Sequence, residues 1–353
     1  MPNLGDRSAK KLLHFIGSAE AIFKEKKSTL LKIEGIGALK LKDLSLKTHL
    51  EAAEEELQFI NDNKISFFYF QDNLYPEKLK HCLDGPILIF QKGNVDLQKK
   101  RIISIIGTRN ITNHGIRFCE KLIDELSFYN PVIISGFAYG ADITAHKSAI
   151  KNNLQTVACL AHGLNQVYPK IHLKYQKQVE ENGGFITDFW SSDTFNRNNF
   201  LKRNRIIAGL SEATVVIESA EKGGSLVTAD IANSYNREVF AVPGRPTDLA
   251  SIGCNNLIKT QQAHILTSAA DLIYLLDWSV DNKKPSVIQK QLFVELTEDE
   301  NVLFNFLKNN KKEQLDLIAL HCKMPIHKVA SLLLTMELKG VIRPFPGKLF
   351  EIV

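Results

Sequence analysis

The chain has 353 residues, of which 44% are hydrophobic, enough to form two or three globular domains. Its 44 Lys and Arg against 39 Asp and Glu give a net charge of +5, so an anionic partner would have to be held by a local cluster of basic residues. The five cysteines are widely spaced and contain no CxxC pair, which disfavours a disulfide framework or zinc site and favours a cytoplasmic protein. We expect no membrane association, because no apolar targeting segment and no run of roughly 20 apolar residues is present.

Residues 1–62 read as a helical domain that contains the segment Glu-Gly-Ile-Gly at positions 34–37. A Gly-hydrophobic-Gly turn between helices can offer backbone N–H groups to a phosphate, as in helix-hairpin-helix modules. The favoured interpretation is simpler, namely that the glycines permit a tight connection between two helices.

Two apolar runs follow, at 65–70 and 86–93, without an intervening helix long enough for a parallel crossover. We expect them to extend the edge of a sheet. Together with the region that follows, they form the predicted domain 63–278.

Between Arg101 and about Leu276, short β-branched runs alternate with helical patterns. Apolar residues recur at i, i+3, i+4 and i+7 from Cys119 to Leu126, as on a helix that packs against a sheet. This alternation predicts an α/β fold, a Rossmann-like doubly wound parallel sheet with its ligand site in the loops after the strands. The predicted strands are 102–107, 132–136, 156–163, 185–189, 214–219 and 239–244.

The polar stretch 279–290 has no periodicity and is predicted to be a linker. Residues 291–353 show three apolar helical patterns and a terminal hairpin pattern, which predicts a winged helix. The candidate recognition helix carries only Lys328 and Lys339 as basic residues. Since winged helices also serve as protein docking modules, the pattern does not by itself indicate DNA reading.

Several enzyme motifs are missing from the sequence. It has no GxxxxGK[ST], HExxH, GxSxG or clean GxGxxG, which disfavours P-loop hydrolysis, zincin chemistry and serine-esterase chemistry. No pair of histidines has metal-ligand spacing with a nearby carboxylate. We therefore predict no metal, no cofactor and no catalytic residue.

Polar, glycine-rich loops follow the predicted strands. Small residues at a strand-to-helix turn let the backbone approach a phosphate, and the next helix supplies N–H groups and positive potential. Each loop alone is as well explained by a tight turn, but several on one sheet edge make an anion-binding rim. Arg109 is expected to reinforce the backbone N–H groups of its loop, whereas His162 faces either the ligand or the core. The candidates are Gly107, Thr108, Arg109, Ser135, Gly136, Tyr139, Gly140, His162, Gly163, Gly223, Gly224, Ser225 and Thr228.

The stretch 197–211 carries four basic residues, one interleaved phenylalanine and no acid. Basic side chains that contact phosphates, with an aromatic ring on which a base stacks, are typical of grooves that bind single-stranded nucleic acid. Phe200 is equally explained as a core residue on this pattern. The candidates in this stretch are Arg197, Phe200, Lys202 and Arg205.

Helical periodicity separates the basic residues of this stretch. If a helix begins near Leu201, Arg203 shares a face with Ile206 and is expected to be structural, paired to a carboxylate. Lys202 and Arg205 point elsewhere and are the freer candidates for contacting a ligand.

The series GTR, SGFAYGAD, HGL..VYP, F-L-K-RNRIIAGLS, GGSLVTA and AVPG, in this order, resembles the DNA-processing protein A family (DprA, also called Smf) of bacterial transformation and recombination. The resemblance covers about residues 65–275, and RNRIIAGLS is its most specific part. The terminal regions resemble the family's sterile-alpha-motif-like and winged-helix additions. The resemblance implies an extended Rossmann fold that binds single-stranded DNA without strong sequence preference. It also implies a homodimer that loads the RecA recombinase onto that DNA.

The same resemblance implies that Arg109, Arg197 and Phe200 contact DNA, with Lys202 and Gly163 near them. The chain departs from the family pattern at three positions. Tyr139 stands where the family has Arg, Leu201 where it has Pro, and Gly223 where it has Ser. Tyr139 therefore either weakens phosphate contact or replaces charge by stacking.

Two other functions stay open at this point. Nucleoside-monophosphate phosphoribohydrolases resemble the chain at 222–230, but their pattern continues into a catalytic Glu, where this chain offers Thr228 and Asp230. The missing Glu disfavours an enzyme. A winged-helix transcription regulator with a ligand-sensing Rossmann domain would require residues 291–353 alone to bind duplex DNA.

Overall fold

The chain folds as two compact units, Met1–Ser279 and Val280–Val353. The computed structural model describes residues 4–42, 44, 47–99, 101–278, 296–310, 312–345 and 349–352. The linker predicted at 279–290 lies outside the described residues.

The first unit begins with the expected helices. They are α1 (Asp6–Ile16), α2 (Ala19–Lys24), α3 (Lys27–Leu30), a 3-10 turn at Ala38–Leu41, and α4 (Lys47–Asp62). Their apolar faces meet in a small core in which Leu12, Leu30 and Leu41 are buried. Asp6 of α1 accepts a hydrogen bond from the backbone N–H of Ile87 (3.0 Å), so the helices pack against the segment that leads into the sheet.

A nine-stranded sheet forms the body of this unit. Its strands are β1 (Ser66–Tyr69), β2 (Leu88–Gly93), β3 (Ile102–Ile106), β4 (Val132–Ser135), β5 (Thr156–Cys159), β6 (Gly183–Thr187), β7 (Ala213–Val216), β8 (Glu238–Ala241) and β9 (His264–Ile265). Their order is β1-β2-β6-β5-β4-β3-β7-β8-β9, and β3 to β9 are parallel. β1 and β2 pair antiparallel at one edge, which confirms their predicted place.

Helices cover both faces of the sheet, as predicted for a doubly wound fold. They are α5 (Glu77–Lys80), α6 (Asn113–Leu126), α7 (Ala141–Lys151), α8 (Gln176–Glu181), α9 (Asn198–Leu210), α10 (Gly224–Ser234), α11 (Ile252–Lys259) and α12 (Ala269–Leu275), with 3-10 turns at Ser127–Tyr129 and Lys170–Tyr175. One core lies under α9, α10 and α11, and the other under α6, α7 and α12. The predicted apolar stripe from Cys119 to Leu126 is buried in the second core.

The strand order reverses at β3. From β3 the chain builds β4, β5 and β6 on one side, and it then crosses to build β7 on the other side. Loops leaving the carboxyl ends of β3 and β7 therefore run to opposite sides and open a crevice, the usual place for a ligand in such sheets.

The second unit has the predicted winged-helix elements. They are α13 (Glu298–Asn310), β10 (Lys312–Gln314), α14 (Leu315–His321), α15 (Ile326–Leu338), β11 (Ile342–Phe345) and β12 (Leu349–Ile352). The hairpin of β11 and β12 is joined by β10, a short strand that the sequence pattern did not indicate. Lys328 pairs with Asp299 (2.7 Å) and Lys339 with Glu300 (2.8 Å), so both lysines near the candidate recognition helix have acidic partners within the unit.

Within the described ranges, no single helix combines the length and apolar character of a membrane span, and only the bent pair Leu315–His321 and Ile326–Leu338, broken at 111°, meets both criteria together.

Candidate functional site

A cleft of about 600 Å³ opens where the strand order reverses. It is lined by the end of β3, by the loops after β3 and β7, by α9 with the residues just before it, by the start of α10, and by Ala138, Asp142 and Tyr168. Nine of the predicted positions meet there. They are Gly107, Thr108, Arg109, Arg197, Phe200, Gly223, Gly224, Ser225 and Thr228.

The N-terminus of α10 forms one wall of the cleft. Among the described residues no side chain caps this helix, whose N-cap is Gly223. The hydroxyls of Ser225 and Thr228 are engaged within the turn, with Ser219 Oγ (2.9 Å) and the carbonyl of Gly224 (3.1 Å). The wall therefore presents backbone N–H groups and the positive end of the helix dipole, a combination that binds anions.

The loop after β3 forms a second wall but differs from its predicted role. The N–H of Thr108 donates to the carbonyl of Glu218 (2.7 Å), so this N–H is unavailable to a phosphate. The Glu218 carboxylate in turn accepts from the N–H (2.9 Å) and hydroxyl (2.5 Å) of Thr112, which fixes the start of α6. The loop instead offers the exposed side chain of Arg109, whose guanidinium carbon lies 5.4 Å from the centre of the Phe200 ring.

Arg203 forms the floor of the cleft, and its predicted structural role is confirmed. The side chain is buried, and Nη1 donates to the carbonyls of Gly136 (2.5 Å) and Cys159. Asp142 is its buried acidic neighbour: burial raises the pKa of this carboxyl, and the Arg203 charge opposes the rise. The pair joins α9 to the carboxyl ends of β4 and β5.

Arg205 does not line the cleft, and the expectation that it is a freer side chain is wrong. Its side chain is only 13% exposed and forms ion pairs with Asp6 (3.1 Å) and Asp188. It follows Arg203 by two residues and so lies on the opposite side of α9, where the N-terminal helices cover it. Lys202 is exposed and lies beside Arg205 in a neighbouring pocket.

Two predicted glycines act by close approach of backbone. At Gly140, φ is +73°, and a Cβ atom would lie 2.3 Å from the carbonyl oxygen of Thr108. At Gly163, a Cβ atom would lie 2.3 Å from the carbonyl oxygen of Trp190. Neither glycine lines the cleft, but each lets the backbone of a neighbouring segment pack closely against its own.

Four other predicted residues also lie outside the cleft lining. Ser135 is buried and donates to the carbonyl of Ile105 (2.6 Å). The carbonyl of Gly136 accepts the hydrogen bond from Arg203, so Gly136 helps to position the residue that forms the floor of the cleft. His162 is buried against its own loop, with Nδ1 2.8 Å from the carbonyl of Gly163, while Tyr139 is exposed and packs on His172.

Among the lining residues that were not predicted from the sequence, three carry exposed cationic or aromatic side chains. Lys222 is exposed just before Gly223, a position that could have been found as the basic residue preceding a glycine pair. Tyr168 and Phe195 line the mouth next to Phe200. Tyr168 belongs to the HGL..VYP motif, but no local sequence pattern distinguishes Tyr168 or Phe195 from an ordinary loop residue.

The loop that carries Phe195 and Arg197 is fastened to the N-terminal helices. The buried carboxylate of Glu56, on α4, accepts from the N–H of Ser191 (2.9 Å) and from its hydroxyl (2.5 Å). The side-chain amide of Asn165 donates to the carbonyl of Ser191 (2.7 Å). The position of this wall of the cleft thus depends on α4.

Comparison with protein families identifies both units. Residues 66–277 match the family described as DNA recombination-mediator protein A, and residues 294–348 match the DprA winged helix domain. Protein Smf of Synechocystis sp. is 29% identical over 97% of this chain and 94% of its own length. Protein Smf of Escherichia coli is 31% identical over 77% of this chain and 74% of its own length.

Solved structures show the same relationship. DNA processing protein A from Streptococcus pneumoniae superposes with a TM-score of 0.66 at 30% identity, covering 77% of this chain and 93% of that one. DNA processing protein A from Helicobacter pylori, solved to study its single-stranded DNA binding mode, gives 0.55 at 27% identity, covering 60% and 95%. The family match spans more than half of the chain, with the cleft inside it. The chain therefore belongs to the DNA recombination-mediator protein A family, also called DprA or Smf.

Proposed function

We propose that this protein binds single-stranded DNA in the cleft at the reversal of strand order. The observation that carries the proposal is the meeting of a helix N-terminus and three cations with an aromatic ring. The uncapped N-terminus of α10, the exposed cations Arg109, Arg197 and Lys222, and the ring of Phe200 all line one cleft. Phosphates and an unpaired base of one strand require this combination.

The proposed contacts explain weak sequence preference. Backbone N–H groups and guanidinium groups contact phosphates, which carry no sequence information, and every base has a ring face that can stack on Phe200. The named binding mode of the Helicobacter pylori relative supports single-stranded DNA as the ligand.

Family membership supports three further proposals. The protein acts as a homodimer, it loads the RecA recombinase onto the bound strand, and it works in the cytoplasm. The described cysteines are all free thiols, which suits a reducing compartment.

We also propose that the cleft binds DNA without cleaving it. Asp142 is the one acid among the described lining residues, and its carboxylate is buried beneath the floor. The position where phosphoribohydrolases carry their Glu offers Thr228, which bonds to Gly224, and Asp230, which does not line the cleft. Among the described lining residues, none is thus placed as the catalytic acid of those enzymes.

Salt dependence tests the proposal. A labelled oligo-dT is titrated with protein over a range of salt concentrations, and a duplex of equal length serves as competitor. We expect preference for the single strand, and Arg109→Ala and Arg197→Ala should each reduce the slope of log K against log salt by about 0.7, because each removes one phosphate contact. Phe200→Leu should lower affinity at every salt concentration and leave the slope unchanged.

Lys151→Ala is the matched control. Lys151 is exposed at the C-terminal end of α7 and lies about 14 Å along the helix from Asp142, the residue of α7 that lines the cleft. Its removal should leave the slope unchanged. Equal slopes for all of these variants, or equal affinity for duplex, would contradict the proposal.

A further inference from the structure

Three aromatic rings from three separate segments meet at the mouth of the cleft. Tyr168 follows β5, Phe195 precedes α9, and Phe200 lies in the first turn of α9. The ring centres of Tyr168 and Phe195 are 4.8 Å apart, those of Tyr168 and Phe200 are 5.8 Å apart, and those of Phe195 and Phe200 are 5.7 Å apart. The three side chains form one cluster, although Tyr168 is 27 residues from Phe195 in the sequence.

The cluster is open to solvent on the cleft side. Tyr168 is 41% exposed and Phe195 is 43% exposed. The planes of the rings are inclined at 47° for Tyr168 with Phe195, 60° for Tyr168 with Phe200, and 78° for Phe195 with Phe200. Since none of these pairs is stacked face to face, no ring fully covers the face of another. The exposed surfaces of Tyr168 and Phe195 are therefore available to a flat partner.

The charges beside the cluster indicate which flat partner fits. Arg109 lies over Phe200, and Arg197 and Lys222 line the same cleft. A nucleotide whose phosphate lies on these cations carries its base within reach of the rings. In a duplex that base is paired and stacked on its neighbours, so only an unpaired base presents a free face.

We propose that Tyr168 and Phe195, together with Phe200, form a binding site for an unpaired nucleobase of the bound strand. This inference rests on the proposed function and adds two rings, adjacent to each other and to the Phe200 ring expected from the sequence. With this site, the affinity of the protein for a strand depends on the presence of an unpaired base as well as on the phosphates.

The test compares an oligo-dT with an oligonucleotide of the same length in which every base is replaced by hydrogen, so that the phosphates remain. The parent should bind the abasic strand more weakly by about 5- to 150-fold for each base that stacks. Tyr168→Leu and Phe195→Leu should each lose affinity for oligo-dT, without a matching further loss on the abasic strand. Tyr168→Phe and Phe195→Tyr, which keep a ring, should retain most of the affinity.

Phe128→Leu is the control for loss of an exposed ring. Phe128 is 72% exposed and precedes β4, at the amino ends of the strands, away from the cleft. The Phe128→Leu variant should bind oligo-dT and the abasic strand with the same affinities as the parent. As a measurement independent of variants, 2-aminopurine placed in the oligo-dT should lose fluorescence on binding the parent protein, because stacking on aromatic rings quenches it.

The outcomes separate this inference from the proposed function. Failure of the parent to bind oligo-dT overturns both. Binding of oligo-dT by the parent, with equal affinity in Tyr168→Leu and Phe195→Leu, overturns the base site alone. An equal loss on oligo-dT and on the abasic strand shows that the rings only shape the loops, and unquenched 2-aminopurine shows that no base stacks; each overturns the base site.

Discussion

His146 shows how strongly the sheet controls a single ionisable residue. Its side chain is fully buried on α7, Nδ1 lies 2.7 Å from Thr156 Oγ1, and Nε2 has no hydrogen-bond partner among the described residues. Burial lowers the pKa of His146 to about 3, and the charges of His172 and Arg203 act in the same direction. The imidazole is therefore neutral in the folded protein at pH values well above 3.

This burial predicts a specific loss of stability in acid. Between the ordinary histidine pKa of 6.5 and about 3, the unfolded chain binds the proton and the folded chain does not, so stability falls as pH falls. Between pH 6.5 and pH 4.5, the free energy of unfolding of the parent should fall by about 2 kcal/mol more than that of His146→Gln. Urea unfolding at the two pH values measures the difference, and other groups cancel because both proteins contain them. Parallel pH dependence would show that His146 is charged or solvated in the fold.

At the scale of elements, the Arg203 side chain connects α9 to the sheet by hydrogen bonds, in addition to the apolar core beneath the helix. Arg203 donates to the carbonyl of Gly136, just after β4, and to that of Cys159, the last residue of β5, and Asp142 lies beside it. Arg203→Ala leaves that carboxyl buried without its neighbour, a change that costs about 3–5 kcal/mol. Chemical denaturation should show this loss, and a second substitution, Asp142→Asn, should recover part of it.

Arg197→Ala is the matched comparison for this experiment. Arg197 precedes α9 and is exposed, so its removal should change stability by about 0.5 kcal/mol or less. If Arg203→Ala were no more destabilising than Arg197→Ala, Arg203 would not be the attachment of α9 to the sheet.

Periodic elements were predictable from the sequence because their pattern is local. The strands, the helices between them and the inward face of Arg203 all follow from spacing within about ten residues. The partners of Arg205 were not predictable, since Asp6 lies about two hundred residues away in the chain and no local pattern connects the two. The same holds for the Thr108 N–H, whose partner Glu218 comes from the other side of the strand reversal.

The candidate site was therefore predicted in outline and missed in part. Glycine-rich loops after strands identified the edge of the sheet and several of the residues that line the cleft. The rings of Tyr168 and Phe195 come from long connections, where exposure is decided by tertiary packing rather than by spacing.

At the scale of the whole molecule, the cleft belongs to one of two units. All of its described lining residues fall within Met1–Ser279. A chain that ends at Ser279 should therefore keep its affinity for oligo-dT within about tenfold of the parent, or roughly 1.4 kcal/mol. The ion pairs of Lys328 and Lys339 within the second unit support the same expectation. A larger loss in the salt titration would give the winged helix a direct part in holding the strand.

The contact between Glu56 and Ser191 has a thermodynamic consequence for the N-terminal helices. It fixes a loop that carries two residues of the cleft to α4, so the order of the loop and the docking of α4 are linked equilibria. Linkage between two equilibria is reciprocal. If docking of α4 strengthens the binding of a DNA strand by some free energy, then binding of the strand strengthens the docking of α4 by the same free energy. In the proposed complex with DNA, helices that contribute no described residue to the cleft lining would in this way take part in the thermodynamics of binding.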